Sequence, residues 1–256
     1  MRRIDRLPTR RLVAHMNAED RKVARAVAAH LDTLAALIDA TAERLRRGGR
    51  LHYFGAGSSG RLAVLDAAEC PPTFGVPPDL VRAHLAGGER ALVDAVEGAE
   101  DEEAEAIELG PLDVAVGVSA SGETPYVLSA LRAARGRGAL TAAVTCAPGS
   151  SLGALAEVAV EVATGPEVLE GSTRLKAGTA QKLVLNMLST GVFTRLGHVR
   201  EGRMLDVKPS NRKLRQRAIG IIRDATGAGE AVAAAALDAA GSPRGAIERL
   251  RRQALR

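Results

Sequence analysis

The chain has 256 residues with a net charge of +5; 46% of its residues are hydrophobic, 25% charged and 2% aromatic, and it has no Trp. That length and apolar content suffice for one large α/β domain with a small appendage, its core built of Ala, Leu and Val. Few aromatics, and Arg scattered in modest clusters at Arg2–Arg11, Arg44–Arg50 and Arg244–Arg256, argue against base-stacking modules and a basic recognition helix, hence against a nucleic-acid partner.

Residues 1–16 read as an irregular Arg-rich arm. Asn17 is placed to N-cap a long helix with Glu19 and Asp20 in its first turn, and Val23, Val27, Leu31, Leu34, Leu37 and Ile38 recur at helical spacing up to Gly48-Gly49. Leu51–Phe54 reads as a strand, Gly55-Ala56-Gly57-Ser58-Ser59-Gly60 as a turn, and Ser59–Ala68 as a helix stopped by Cys70-Pro71-Pro72. A second strand is expected over Leu80–Leu85, then a helix from Glu89 broken at Gly98, then an acidic helix start at Glu100-Asp101-Glu102-Glu103.

Asp113–Val118 repeats the opening device, an apolar strand running into Ser119-Ala120-Ser121-Gly122-Glu123-Thr124-Pro125. Thr124 at N-cap with Pro125 at N1 signals a helix to about Gly136. Leu140–Cys146 and Val158–Val162 complete the strands, and a long amphipathic helix runs from Gly171-Ser172-Thr173 to about Leu196. Three short helices follow, over Lys213–Arg223, Glu230–Ala239 and Pro243–Arg256. Strands alternating with helices predict βαβ units and a parallel sheet, with ligands at the strand carboxyl ends.

The chemistry is expected at the two Ser/Gly turns. Each offers unpaired amides at a helix N-terminus and adds hydroxyls, a donor set that suits phosphate. GAGSSG matches G-x-G-x-x-G through Gly55, Gly57 and Gly60, but the next strand ends without a ribose-binding acid, and the turn lacks a P-loop Lys. Glu69 reads as a partly buried helix-end carboxyl with a raised pKa, able to act as an acid. In the acidic run, Glu97 and Glu100 are equal candidates. Arg174 and Lys176, cations at a helix start, face an anionic ligand, a neighbouring acid or solvent. His52, His84 and His198 show no pairing. Cys70 and Cys146 form neither a disulfide framework nor a metal-ligand spacing. With no signal segment and no run of about 18 apolar residues, the reading is a cytoplasmic protein without a membrane partner.

LHYFGAGSSGRLAVLDAAECPPTFG, AVEGAED, SASGETPYV, GPEVLEGSTRLKAGTAQKLVLNMLSTG and MLDVKPSNRKLRQRA resemble segments of the N-acetylmuramic acid 6-phosphate etherase family, lyases on a sugar-isomerase (SIS) domain. The resemblance runs from about Ile4 to about Ala225; the remaining C-terminal piece is weaker and shorter than the family's. It implies a three-layer α-β-α sandwich around a mostly parallel five-stranded, flavodoxin-like sheet plus a helical appendage. The organisation expected is an arm and helix over 1–47, the SIS domain over 48–205 and a helical subdomain over 206–256.

The implied activity is hydrolytic cleavage of the D-lactyl ether of N-acetylmuramic acid 6-phosphate during cell-wall sugar recycling, with no metal or organic cofactor. The implied acid is Glu69, the second carboxylate is Glu100, and the phosphate ligands are Ser59, Ser119, Ser121 and Thr124, joined by Ser58 from the first turn. Ser58 stands where the family pattern has Thr, and Ala147 where an Asn often precedes the Pro. A homodimer, with helices of one subunit closing the other's pocket, is also implied. A phosphosugar sensor would keep the serines without needing the acids. An aldose–ketose isomerase would need no acid at a C3 ether. A SIS-type transcription regulator would need a DNA-binding domain before the first strand.

Overall fold

The structure is a computed structural model that describes residues 4–104, 108–209 and 211–254. The chain divides into two compact units, 1–67 with 79–192 and 68–78 with 193–256.

The first unit opens with α1 (Thr9–Ala28) and α2 (Leu31–Arg46). The expected start at Asn17 is corrected: Pro8 occupies the N-cap position, α1 begins at Thr9, and Asn17 lies within the helix. The expected single long helix is two helices broken at Ala29-His30, where His30 leaves helical geometry at φ −116°. Of the apolar stripe read from the sequence, Val23 and Val27 on α1 and Leu34 and Leu37 on α2 are buried, Ile38 is half-buried, and Leu31 is exposed.

β1 (Leu51–Gly55) leads into α3 (Gly57–Phe74), then β2 (Val81–Leu85) and the single-turn α4 (Arg90–Val93). After these come β3 (Val114–Ser119), α5 (Pro125–Gly136), β4 (Leu140–Thr145), α6 (Ser151–Leu155), β5 (Val158–Glu161) and α7 (Lys176–Arg195). The five strands form an all-parallel sheet in the order β2-β1-β3-β4-β5. Every residue of β1, β3 and β4 is buried, which is why these strands read as continuous apolar runs rather than alternating ones.

Helices cover both faces. Phe54, Ala115 and Ala143 pack with Val127 and Leu131 of α5 and Leu152 of α6. On the other face, the Tyr53 hydroxyl donates to Asp66 of α3, and Ser189 of α7 donates to the same carboxylate. Parallel order with helices on both sides is the α/β sandwich expected. The strand order reverses between β1 and β3, the position where sheets of this kind bind ligands.

Two elements of this stretch differ from expectation. α4 ends at Val93 rather than continuing to Gly98, and Glu100-Asp101 end a turn that runs into an irregular Glu102-Glu103 rather than a helix start. α3 passes the expected stop and includes Pro71 and Pro72. Each Pro removes one intrahelical donor.

In the second unit, the last turn of α3 is anchored by Phe74, 5% exposed and stacked on Phe193 with ring centroids 4.6 Å apart. A hairpin unseen in the sequence, β6 (Val199–Arg200) with β7 (Arg203–Met204), turns at Glu201 and Gly202, both at positive φ. That pair of left-handed residues matches the twist of a two-residue hairpin. α8 (Arg212–Thr226), α9 (Glu230–Ala240) and α10 (Pro243–Ala254) follow, close to the three helices expected. Asn211 caps α8 by accepting from the Leu214 amide, and Gly227 and Gly241 end α8 and α9 in the left-handed conformation. Ile219, Ile222, Ala233, Leu237, Ala246 and Ile247 form their core. Asp206 accepts from Arg244 and pairs with His198 Nδ1 at 2.9 Å.

Candidate active site

The two hydroxyl turns leave adjacent strands. Gly55, the last residue of β1, is in register with Val118, one residue before Ser119 at the end of β3. Neighbouring strands lie about 4.8 Å apart, so both turns start side by side at the carboxyl edge of the sheet. Each depends on glycine for a close approach. A Cβ on Gly60 would overlap Leu85 Cδ1 and lie 2.6 Å from the Gly55 carbonyl oxygen, so only Gly lets α3 begin so close to β1. Gly122 has φ +70°, and a Cβ there would overlap Ser150 Cβ.

The second turn is held by its own hydroxyls. Ser119 Oγ accepts from the Gly122 amide at 3.0 Å and lies 2.8 Å from Thr124 Oγ1 and 3.4 Å from Ser121 Oγ. Ser121 Oγ in turn accepts from the Glu123 amide. Ser119 is buried, Thr124 half-buried and Ser121 exposed, so the cluster runs from the sheet edge outward. Thr124 occupies the expected N-cap position, but its side chain makes no capping bond and is spent on Ser119 instead. Glu123 reaches across to Ser151, whose side chain first and backbone amide second hold its carboxyl below the usual range.

The first turn is held from outside. Ser59 is buried, and its hydroxyl donates to Oε1 of Gln181 on α7 at 2.9 Å. Ser58 is half-buried beside it. The amides of Gly57, Ser58 and Ser59 open α3 and precede the first helical bond, Gly60 N–H to the Ala56 carbonyl. One face of α3 is fixed again two turns on, where Asp66 accepts from Tyr53 and Ser189. Burial pushes the Asp66 carboxyl up to about 6, against the two hydrogen bonds.

A cleft of about 670 Å³ is lined by Val64, His84, Leu85, Gly88, Glu102 and Tyr126 among others; its lining includes neither turn's hydroxyls nor Glu69 or Glu100. His84 and His52, unpaired in the sequence reading, are partners: His52 Nδ1 lies 3.0 Å from His84 Nε2 and the rings stack. Burial pushes both imidazoles down to about 4, so both are neutral at pH 7. The strand register hides this pair from the sequence, since His52 lies opposite Arg82, and His84 two residues further along.

The two expected carboxylates sit differently from the hydroxyls. Glu69 lies within α3 rather than at its end, and it is exposed rather than partly buried, because the helix continues to Phe74. Glu100 is exposed, but its backbone carbonyl accepts from the Tyr126 amide at 3.1 Å, which pins it to the first turn of α5 two residues after Thr124. Glu97 is exposed as well. Of the alternatives open for Lys176, the neighbouring acid holds: it is 2% exposed and its Nζ lies 2.9 Å from Glu19 Oε2. Lys22 and Lys176 together hold the Glu19 carboxyl down at about 2. Glu167 accepts from the Lys176 and Ala177 amides, offsetting the cations at this helix start. Arg174 is exposed. Gln181 was not singled out in the sequence; its polarity within an apolar stripe was the available signal.

A parallel α/β sheet with hydroxyl turns at its reversal point is the architecture expected of a SIS domain. Residues 33–135 match the family model of the glucokinase regulatory protein N-terminal SIS domain. A phosphoheptose isomerase from Francisella tularensis shares the fold with a TM-score of 0.55 at 18% identity, over 73% of this chain and all of that one. A phosphoheptose isomerase from Neisseria gonorrhoeae gives a TM-score of 0.52 at 19% identity, over 72% of this chain and 98% of that one. Sequence likeness goes further. The N-acetylmuramic acid 6-phosphate etherase of Jannaschia sp. (strain CCS1) is 54% identical over 88% of this chain and 73% of its own length. That of Rubrobacter xylanophilus is 55% identical over 93% of this chain and 81% of its own. The chain belongs to the N-acetylmuramic acid 6-phosphate etherase family.

Proposed function

We propose that this chain carries out its family's reaction, hydrolytic removal of the D-lactyl ether from N-acetylmuramic acid 6-phosphate, with the phosphate held by the two hydroxyl turns. The products are N-acetylglucosamine 6-phosphate and D-lactate, released for cell-wall amino-sugar recycling. The observation that carries the phosphate assignment is the pairing of the turns on β1 and β3, offset by one residue of register. Ser58, Ser59, Ser119, Ser121 and Thr124 are the donors in this reading, with the first-turn amides of α3 adding N–H groups and a favourable dipole.

The sugar extends outward from the two turns. In its open-chain form the aldehyde makes the C2 proton acidic. Glu100 removes that proton, the electron pair forms the C2–C3 double bond, and the C3–O bond breaks while Glu69 protonates the departing lactate oxygen. Water then adds across the double bond, its OH to C3 and its hydrogen to C2. Two carboxylates in different settings suit this division of acid and base. Anchoring the distant phosphate restricts the orientation of C2 and C3.

The working form in this reading is a cytoplasmic homodimer. Exposed Leu65 on α3, Leu92 and Val93 on α4 and the nearby Val96 supply apolar surface for a second copy, and Arg61 ties the two helices together through the Ala91, Leu92 and Asp94 carbonyls. Among the described residues no helix is long and apolar enough to cross a membrane.

The test is lactate release by Glu69→Gln and Glu100→Gln. Each is expected to lower turnover by about 10²–10⁴-fold while inorganic phosphate still competes with substrate at its wild-type concentration. Near-normal turnover in either variant removes that residue from the chemistry.

A further inference from the structure

Gln181 is 1% exposed, and its amide nitrogen has no hydrogen-bond partner among the described residues. Its oxygen accepts the Ser59 hydroxyl at 2.9 Å. A buried carboxamide with two stranded N–H groups is unfavourable, and a Met or Leu would fill the same volume without that cost. The second polar contact between the same helices shows the contrast: Asp66 has both carboxylate oxygens engaged, by Tyr53 and Ser189. Ser59–Gln181 and Asp66–Ser189 sit about two turns apart on both helices, so α3 and α7 meet at two polar contacts, of which the Gln181 contact leaves a donor over.

The proton count explains what the spare donor is for. Ser59 has one hydroxyl hydrogen, and in this structure it goes to Gln181. A phosphate group only accepts, so Ser59 can serve it only if that hydrogen is released. A carboxamide is the side chain that can release it. Half a turn of the amide replaces an acceptor by a donor at the same place.

We propose that Gln181 is a positioning residue of the phosphate site: on phosphate binding its amide turns, Nε2 donates to Ser59 Oγ, and the Ser59 hydroxyl turns to donate its hydrogen bond to the phosphate. This rests on the assignment of the two turns to phosphate. It also gives Gln181 two geometries, with Oε1 facing Ser59 as in the structure and Nε2 facing it when phosphate is bound.

The experiment compares Gln181→Glu, Gln181→Met and Ser121→Ala by steady-state lactate release and by the inhibition constant for inorganic phosphate. An ionised Glu can only accept from Ser59 and adds charge beside the anion. It is expected to raise both KM and the phosphate inhibition constant by about tenfold or more, with kcat within about threefold. Met frees the Ser59 hydrogen but does not orient it; about a threefold rise in both constants is expected. If Gln181→Glu does not fold, Gln181→Met alone decides. Wild-type KM and inhibition constants in the Gln181 variants, with weakened phosphate binding in Ser121→Ala, overturn the proposal and leave the phosphate site standing. Unchanged phosphate inhibition in Ser121→Ala as well overturns the site assignment itself.

Discussion

The two hydroxyl turns begin alike and are held differently. The turn after β3 is self-contained: Ser119 binds Thr124, Ser121 and the Gly122 amide within six residues of chain. The turn after β1 leans instead on α7, through a contact between Ser59 and Gln181 that spans 122 positions of sequence. A locally closed turn is organised as soon as its strand is in place. A turn braced by a distant helix takes its geometry from how α3 and α7 pack, so whatever moves that packing reaches the phosphate site through Ser59.

The largest expected effect comes from the packing itself. Burial raises the Asp66 carboxyl to about 6, so the folded chain binds this proton more tightly than the unfolded chain does. Its contribution to stability is therefore full below about pH 4 and lost as the pH rises to about 6, a change of about 3 kcal/mol. Urea titrations across that window should show wild type losing about 3 kcal/mol more stability than Asp66→Asn. Parallel curves for the two proteins would mean that Asp66 does not bear on the α3–α7 contact through its charge.

A smaller effect separates the turns. Ser119→Ala removes the centre of its network and leaves Thr124 Oγ1 and the Gly122 amide without that partner, so KM is expected to rise by about tenfold or more. Ser59→Ala removes one hydroxyl but leaves the α3 amides in place, and a rise of about three- to fivefold is expected. Equal changes in the two variants would erase the distinction drawn between a self-contained turn and a braced one.

Most of this architecture was legible in the sequence for physical reasons. β1, β3 and β4 are buried on both faces, so they stand out as apolar runs, and the Ser/Gly turns at their ends carry the glycines that close packing demands. What local pattern misses is set by contacts distant in sequence. The extra turn of α3 beyond Pro71-Pro72 is held by Phe74 against Phe193, far along the chain, and that turn alters the reading of Glu69 from a half-buried helix end to an exposed mid-helix position. The start of α1 at Thr9 escaped because the clustered arginines read as an arm and Asn17 as a cap, although Leu12 and Met16 precede Val23 and Val27 at helical spacing. His52 with His84, and Ser59 with Gln181, need strand register or helix packing to be seen at all. Glu69 stands out in the sequence by its place before Cys70-Pro71-Pro72, whereas the choice of Glu100 over Glu97 came from family resemblance, because an exposed glutamate bears no local mark of its chemistry.

If the paired turns hold a phosphate and so orient the lactyl ether, removing that phosphate from the sugar must cripple the reaction. The deciding measurement is lactate release by purified protein from N-acetylmuramic acid 6-phosphate beside the same sugar without its phosphate. Rapid release is expected from the phosphorylated sugar, and release lower by about 10³-fold or more from the other, since both binding and orientation are lost. Equal release from the two sugars, or none from the phosphorylated one, would contradict the phosphate role of the turns.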